Sequence, residues 1–266
     1  MKPVITLLTD FGTKDHYVAC MKGVIYGICP DATIVDISHE VEPFNILQGA
    51  FLLHQAVPWF PDGTIHVAVV DPGVGSRRRA LILETRRAFF IGPDNGLMLP
   101  AARRLGLISA YEIDLSSEYF SELSWTFHGR DVFSPAAAYL AAGVRPLDMG
   151  EEIDLSSLAD LSFWEPEVEG ERAVGRFLHV DRFGNLITNL SSEWHEETAS
   201  LHERAKLLFR GKEYELKIAR AYYEGGAGEL LLLPGSGGFS EIAVNMGSAS
   251  SIIGAGPGDS FVIELQ

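Results

Sequence analysis

The sequence predicts an α/β unit followed by an all-β unit, and three observations carry that expectation. Through residue 150, continuous apolar runs alternate with runs of helical spacing. From residue 172, short strand-like runs separated by glycine and polar turns take over. Between them, residues 151–171 are acidic and broken by Pro166 and Gly170, which reads as a linker.

The elements follow in order. "VITLLTD" is a continuous apolar run that ends in Asp10. "DHYVACMKGVIYGICP" has helical spacing and stops at Pro30. "TIVDIS" is a strand, "NILQGAFLLHQAVPWF" a second helix, and "TIHVAVVD" another apolar strand closing on an acid, Asp71. A β–α–β–α–β order implies a mostly parallel sheet with helices on both faces. "RALILETR", "AFFIGPD" and "AYEIDL" add strands, and "DVFSPAAAYLAAG" is an alanine-rich helix ending at Gly143. In the second part, "AVGRFLHV", "NLITNL", "AKLLFR", "KEYELKI", "ELLLLPG", "EIAVNM" and "SFVIEL" read as strands of a small barrel or sandwich.

Composition narrows the function. Apolar residues make up 47% of the 266, enough for a sizeable core, and the net charge is -15. Nucleic-acid and anionic membrane surfaces both require a basic face, so neither is an expected partner. Cys20 and Cys29 are too few for a disulfide framework and read as reduced thiols of a cytoplasmic protein. The apolar run at the N-terminus is too short for a signal peptide, and no run approaches the length of a membrane span.

The chemistry concentrates at strand ends. In a parallel sheet, ligands sit beyond the carboxyl ends of the strands. Asp10 in "LTDFG" and Asp71 in "VVDPG" would therefore face one crevice, although a single acid there often only caps the next helix. Three arginines follow Asp71 in "GSRRR"; such a run is usually solvated, yet one arginine could fold back onto the acid. His128 lies in "TFHGRD" before the alanine-rich helix, a common place for a capping histidine. Free N–H groups at that helix start would suit an anion or a nascent hydroxide. "DRFGN", from Asp181 to Asn185, is at least a β-turn, and its hydrogen-bonding groups suit a nucleobase or an amino acid. The sequence has no phosphate-binding loop, no metal-ligand spacing and no nucleophile elbow, and "GAGPGD" lacks the strand–turn–helix context of a dinucleotide site.

Seven segments in series carry a resemblance: "TDFG", "YVACMKGVIYGICPDATIVDISHEVEPFNILQGAF", "VVDPGVGSRRR", "GPDNGL", "FHGRD", "DRFGNLITN" and "EIAVNMGSA". Together they resemble the S-adenosyl-L-methionine hydroxide adenosyltransferase family, relatives of fluorinating and chlorinating enzymes. The resemblance implies an α/β domain and a C-terminal β-barrel. It further implies a homotrimer with sites at subunit interfaces, and hydrolysis of S-adenosyl-L-methionine to adenosine and L-methionine with no cofactor and no metal. Matching the motifs puts the catalytic set at Asp71, Arg78 and His128. Asp71 would hold the ribose or polarise the water, Arg78 would stabilise hydroxide character, and His128 would orient the water or accept its proton. Strand alternation does not choose Arg78 over Arg77 or Arg79; the motif spacing from Asp71 does.

The same matching implies the substrate contacts. Asp10 would pair with the ribose hydroxyls, and Phe44 would pack near ribose and sulfonium. Asp181 and Ser236 would serve the methionine end, with Phe183 beside the substrate and Asn185 on the adenine edge. Glu241 and Val244 would line the ligand, Val244 through its backbone, and Tyr222 or Tyr223 would stack on adenine. Gly235 stands where relatives often carry Asn. A halide-using adenosyl transferase and a non-catalytic adenosyl-ligand sensor are the competing expectations.

Overall fold

The computed structural model describes residues 2–120, 123–161 and 165–266. The chain divides into two compact units, residues 1–161 and 162–266.

The first unit is built on seven strands: β1 (Val4–Thr9), β2 (Thr33–Ser38), β3 (Thr64–Val69), β4 (Ala80–Thr85), β5 (Ala88–Pro93), β6 (Leu107–Ile113) and β7 (Gly150–Ile153). They lie in the order β2-β1-β3-β5-β4-β6-β7. β2, β1, β3 and β5 pair in parallel; β4 and β7 run against their neighbours, so five of seven strands share one direction. β4 must be antiparallel to β5, because only Arg86 and Arg87 separate them and a parallel crossover needs a dozen residues or more. Every residue of β3 is buried, as expected of a central strand covered on both faces.

Helices α1 (Tyr17–Ile28) and α2 (Ile46–Ala56) connect the parallel strands, and Asn45 caps α2 by accepting the Gln48 N–H. Met21 and Ile25 of α1 share a core with Ile5, Leu7, Val67 and Val69. α2 covers the opposite face, where Gly49 comes close to Leu8 and Val70. α3 (Leu99–Arg104), not expected from the sequence, follows β5 with Pro100 in its first turn. The alanine-rich helix opens with a wide π turn at Gly129–Phe133 and continues as α4 (Ser134–Ala141), packed on the α1 face. A short α5 (Pro146–Met149) leads into β7.

The stretch expected as a linker contains ordered structure of the first unit. Gly150–Ile153 pairs with β6, and the Ala159 N–H donates to Asp94, so this acidic stretch completes the first sheet. Alternation is absent there because the strand is only four residues long and the adjacent Glu151 and Glu152 are both exposed. Residues 162–164 of that stretch lie outside the described residues.

The second unit holds β8 (Glu167–Glu169), β9 (Arg172–Val180), β10 (Leu186–Ser191), β11 (Arg204–Phe209), β12 (Lys212–Ile218), β13 (Leu230–Pro234), β14 (Phe239–Val244) and β15 (Ser260–Leu265). Seven strands close into a barrel through the β9–β10 pairing, with β8 added along β9. Closure leaves few free edges. Phe177, Leu207, Leu216, Ile242 and Phe261 fill the interior. Two helices missed in the sequence, α6 (Ser192–Ala199) and α7 (Ala249–Ile253), are short inserts capped by Ser191 and Ser248. No helix among the described residues is long and apolar enough to cross a membrane.

Candidate active site

Asp10 and Asp71 emerge at the same end of the first sheet, one residue after β1 and two after β3. Burial pushes the Asp10 carboxyl above its usual range; the Phe44 N–H, donated at 2.9 Å, pulls it down, and the nearby Asp71 charge pushes it up again. The two strand-end acids are thus close enough for each to feel the other's charge. Phe44 is 69% exposed and has φ 67°, a rare conformation for a bulky residue, held by that bond to Asp10.

Arg78 is the arginine that folds back. Its Nε donates to Asp71 Oδ1 and Oδ2 at 3.1 and 3.0 Å, and its Nη2 donates to Oδ2 at 2.5 Å. The same Nη2 lies 2.8 Å from His128 Nδ1, and the guanidinium carbon stands 5.2 Å over the Phe133 ring. Arg79 is committed elsewhere, to Asp94 and Ser157, by bonds of 2.5 to 2.9 Å. A guanidinium can only donate, so His128 Nδ1 is the acceptor and the neutral ring carries its proton on Nε2. Burial lowers the His128 pKa, and the adjacent Arg78 charge lowers it further, against the opposing charges of Asp71 and Asp131.

The helix start after His128 is not a free anion site. The N–H groups of Arg130 and Asp131 both donate to Phe127 O, three and four residues back, before the π turn begins. Asp131 accepts from Ser124 and Arg130 and anchors this turn. Asn95, inside "GPDNGL", donates to Val70 O at 2.8 Å and holds the strand just before Asp71. A neighbouring hollow of about 620 Å³ touches Arg78 and Arg79 but is walled by Glu112, Asp114, Asp148 and Glu151, and contains neither Asp71 nor His128.

In the second unit, the "DRFGN" turn is a tight polar knot. Asp181 Oδ1 accepts the N–H groups of Phe183 and Asn185, and Oδ2 accepts the Asn185 amide, all at 2.9 Å. Tyr222 donates to Glu241 and lies 3.5 Å from the Asn185 amide. Burial raises the Glu241 carboxyl and the Tyr222 phenol; Asp181 and Glu241 charges add to this. A cavity of about 500 Å³ is lined by Phe183, Asn185, Tyr222 and Val244, together with Asn245, Met246 and Gly247. Val244 O accepts the Gly247 N–H.

Ser236 is exposed on the turn between β13 and β14, outside that cavity; its neighbour Gly235 abuts Glu241. A Cβ at Gly235 would lie 2.6 Å from Phe239 O, so the turn as folded admits no side chain there. Of the two tyrosines, Tyr222 lines the cavity and Tyr223 does not. Asn245 and Met246 were not singled out in the sequence; only their place in "EIAVNMGSA" pointed to them. Among the described residues, no group of three or more His, Cys, Asp or Glu is placed to hold a metal ion.

A sheet whose strand ends carry a preformed Asp–Arg–His cluster, in a chain that also folds a closed barrel with a mostly apolar, aromatic-lined pocket, defines a two-unit protein equipped for a small-molecule ligand. Residues 5–150 match the model of the SAM hydroxide adenosyltransferase N-terminal domain, and residues 175–262 match that of its C-terminal domain. The chain belongs to the S-adenosyl-L-methionine (SAM) hydroxide adenosyltransferase family. It is 37% identical over 260 residues to the (R)-S-adenosyl-L-methionine hydrolase of Methanocaldococcus jannaschii, covering 94% of this chain and 91% of that one. The crystal structure of a conserved protein from Thermotoga maritima superposes with a TM-score of 0.89 at 38% identity, over 97% of this chain and 99% of that one. A fluorinase from Actinoplanes sp. is more distant, 26% identical over 91% of each chain.

Proposed function

We propose that this protein is an enzyme that hydrolyses S-adenosyl-L-methionine to adenosine and L-methionine. The observation that carries this is Arg78 bridging Asp71 and His128 at the sheet's strand ends. Family membership and relatives named as (R)-S-adenosyl-L-methionine hydrolases support it.

The sulfonium already makes methionine a neutral leaving group, so the reaction as proposed draws on no metal or redox cofactor. What remains is to orient a water in line with C5′ and to take its proton. The water oxygen bonds C5′ as the C5′–S bond breaks and its electron pair leaves on sulfur. With Nδ1 occupied by Arg78, His128 offers an Nε2–H that orients the water. Asp71 is the group left to receive the proton and pass it to solvent. Arg78 holds the carboxylate and stabilises the developing hydroxide.

The remaining side chains bind the substrate. Asp10 holds the ribose hydroxyls, and Phe44 packs beside the sulfonium. Asn185, its amide nitrogen tied to Asp181, offers its oxygen to the adenine amine. Phe183, Glu241 and Val244 line this end, and Asp181 and Ser236 serve the methionine. The enzyme assembles as a homotrimer in which the ligand groups of the first unit from one copy meet those of the second unit from a neighbour. It works in the cytoplasm, where Cys20 and Cys29 stay reduced.

The test is incubation of purified protein with S-adenosyl-L-methionine in ¹⁸O-water, with and without chloride. The expected product is adenosine labelled at its 5′-hydroxyl. Unlabelled adenosine, or 5′-chloro-5′-deoxyadenosine as the main product, would overturn hydrolysis; binding without any product would point to a sensor.

A further inference from the structure

A second histidine, outside the Asp–Arg–His cluster, grips the turn that carries Asp10. β1 and β2 pair in register from Val4 with Thr33 to Leu7 with Asp36, but Leu8 pairs with Ser38. The extra residue, Ile37, is a bulge, and bulges re-aim the side chains that follow them. His39, just beyond it, is 4% exposed. Its Nδ1 lies 2.8 Å from Thr9 Oγ1 and its Nε2 lies 3.1 Å from Asp36 Oδ1. Asp36 in turn receives Lys22 Nζ at 2.6 Å.

The directions of these contacts can be assigned. A carboxylate beside Nε2 favours the proton there, which leaves Nδ1 as an acceptor. The Thr9 hydroxyl therefore donates to His39, and its oxygen is free to accept the Phe11 N–H at 3.2 Å. The His39 carbonyl accepts the Gly12 N–H at 2.7 Å. His39 thus holds the chain before Asp10 through Thr9, and after it through Phe11 and Gly12. It makes no hydrogen bond to Asp10 itself or to the Asp–Arg–His cluster.

We infer that His39 is a positioning residue, whose side chain sets the direction of the Asp10 carboxylate through the Thr9 hydroxyl and the Phe11 N–H bound to it. This rests on the proposed role of Asp10 in holding the ribose hydroxyls. The half-buried Asp10 carboxyl is held only by backbone donors, the Phe44 N–H and its own, so its aim follows the path of the chain around it. The charged pair Lys22–Asp36 lies at the surface end of the chain of contacts, with Asp36 beside His39 Nε2.

The test uses the full-length protein and the variants Thr9→Val, His39→Leu, His39→Asn and Asp10→Ala, with His39→Leu/Asp10→Ala as the double variant. Measured are kcat and KM for S-adenosyl-L-methionine, adenosine affinity by calorimetry, and Tm. Expected are a rise of about tenfold in KM and a matching loss of adenosine affinity in His39→Leu and Thr9→Val, with a smaller change in kcat. His39→Asn, whose side-chain oxygen can take the Thr9 hydroxyl, recovers most of the affinity. In the Asp10→Ala background, His39→Leu adds no further loss. A lower Tm with wild-type KM and affinity in the single variants overturns the inference, and so does an equal loss with or without Asp10. Thr9→Val keeps the side-chain shape while removing the hydroxyl, and His39→Asn keeps an acceptor for it, so the test stays open if His39→Leu does not fold. The calorimetric arm reads His39 whether or not the wild-type protein turns substrate over, so a failed hydrolase assay and a failed positioning role are separate results.

Discussion

Arg78 sits where three attractions meet: the Asp71 carboxylate, the His128 ring nitrogen and the Phe133 face. Substituting Asp71→Asn, Arg78→Ala or His128→Ala is expected to lower turnover by about 10²-fold or more, because each removes a group that aligns or deprotonates the water. Arg79→Ala makes the matched control. Its guanidinium is spent on Asp94 and Ser157, so the variant should lose stability and keep near-wild-type kcat. Steady-state adenosine release beside thermal melts distinguishes the two behaviours. Wild-type rates from all three cluster variants would remove the catalytic assignment. Motif spacing pointed to Arg78, but only the fold shows why: its neighbour faces a different carboxylate, and no alternation rule assigns that from a run of three arginines.

At the scale of elements, the Asp181–Asn185 turn shows how a short loop becomes a binding surface. Gly184 has φ 84°, and a Cβ there would collide with Ser248 Oγ at the head of α7. The turn and the helix cap are therefore seated together, with the Ser250 N–H donating to Gly184 O. Gly184→Ala should cost about 1–2 kcal/mol from the left-handed backbone alone. The clash would add to that and loosen the Asp181–Asn185 bonds. The expected result is a lower Tm together with weaker adenosine binding in calorimetry. An unchanged affinity would separate this turn from the ligand site.

For the whole molecule, two properties follow. His66 lies fully buried in β3 against Phe60 and Phe90, its Nδ1 2.7 Å from Thr6 Oγ1. Burial pushes its pKa down to about 3. The unfolded chain takes up that proton near pH 6.5 while the folded chain refuses it, so this contribution to stability is intact above pH 6.5. It is lost progressively as pH falls from 6.5 toward 3, at up to about 1.4 kcal/mol per pH unit. Denaturant melts between pH 7 and 4 should show this slope reduced in His66→Gln. The proposed homotrimer gives the other expectation. Mixing an inactive Asp71→Asn protein with an inactive Asn185→Ala protein should restore part of the activity, because some interfaces would pair two intact halves. A fully active monomer in light scattering would exclude that assembly.

Much of this was readable before folding. The acids at Asp10 and Asp71 follow apolar runs that could only be buried strands, and the rule for parallel sheets sends both to one crevice. The change from helical to strand-like spacing near residue 172 announced a second, all-β unit, because periodicity is a local property of the chain. Other features depend on contacts far apart in sequence. β7 is an acidic edge strand recognisable only by its partner β6, and barrel closure rests on the β9–β10 pairing. The choice of Arg78 arises from a turn that folds it back seven residues onto Asp71, while the tautomer of His128 and the alignment of His39 with Thr9 arise from side chains 50 and 30 positions apart and, for His39, a one-residue bulge. Composition and period record which surfaces a segment will bury. Which partner each polar atom meets is decided by register and packing, and those exist only once the chain has folded.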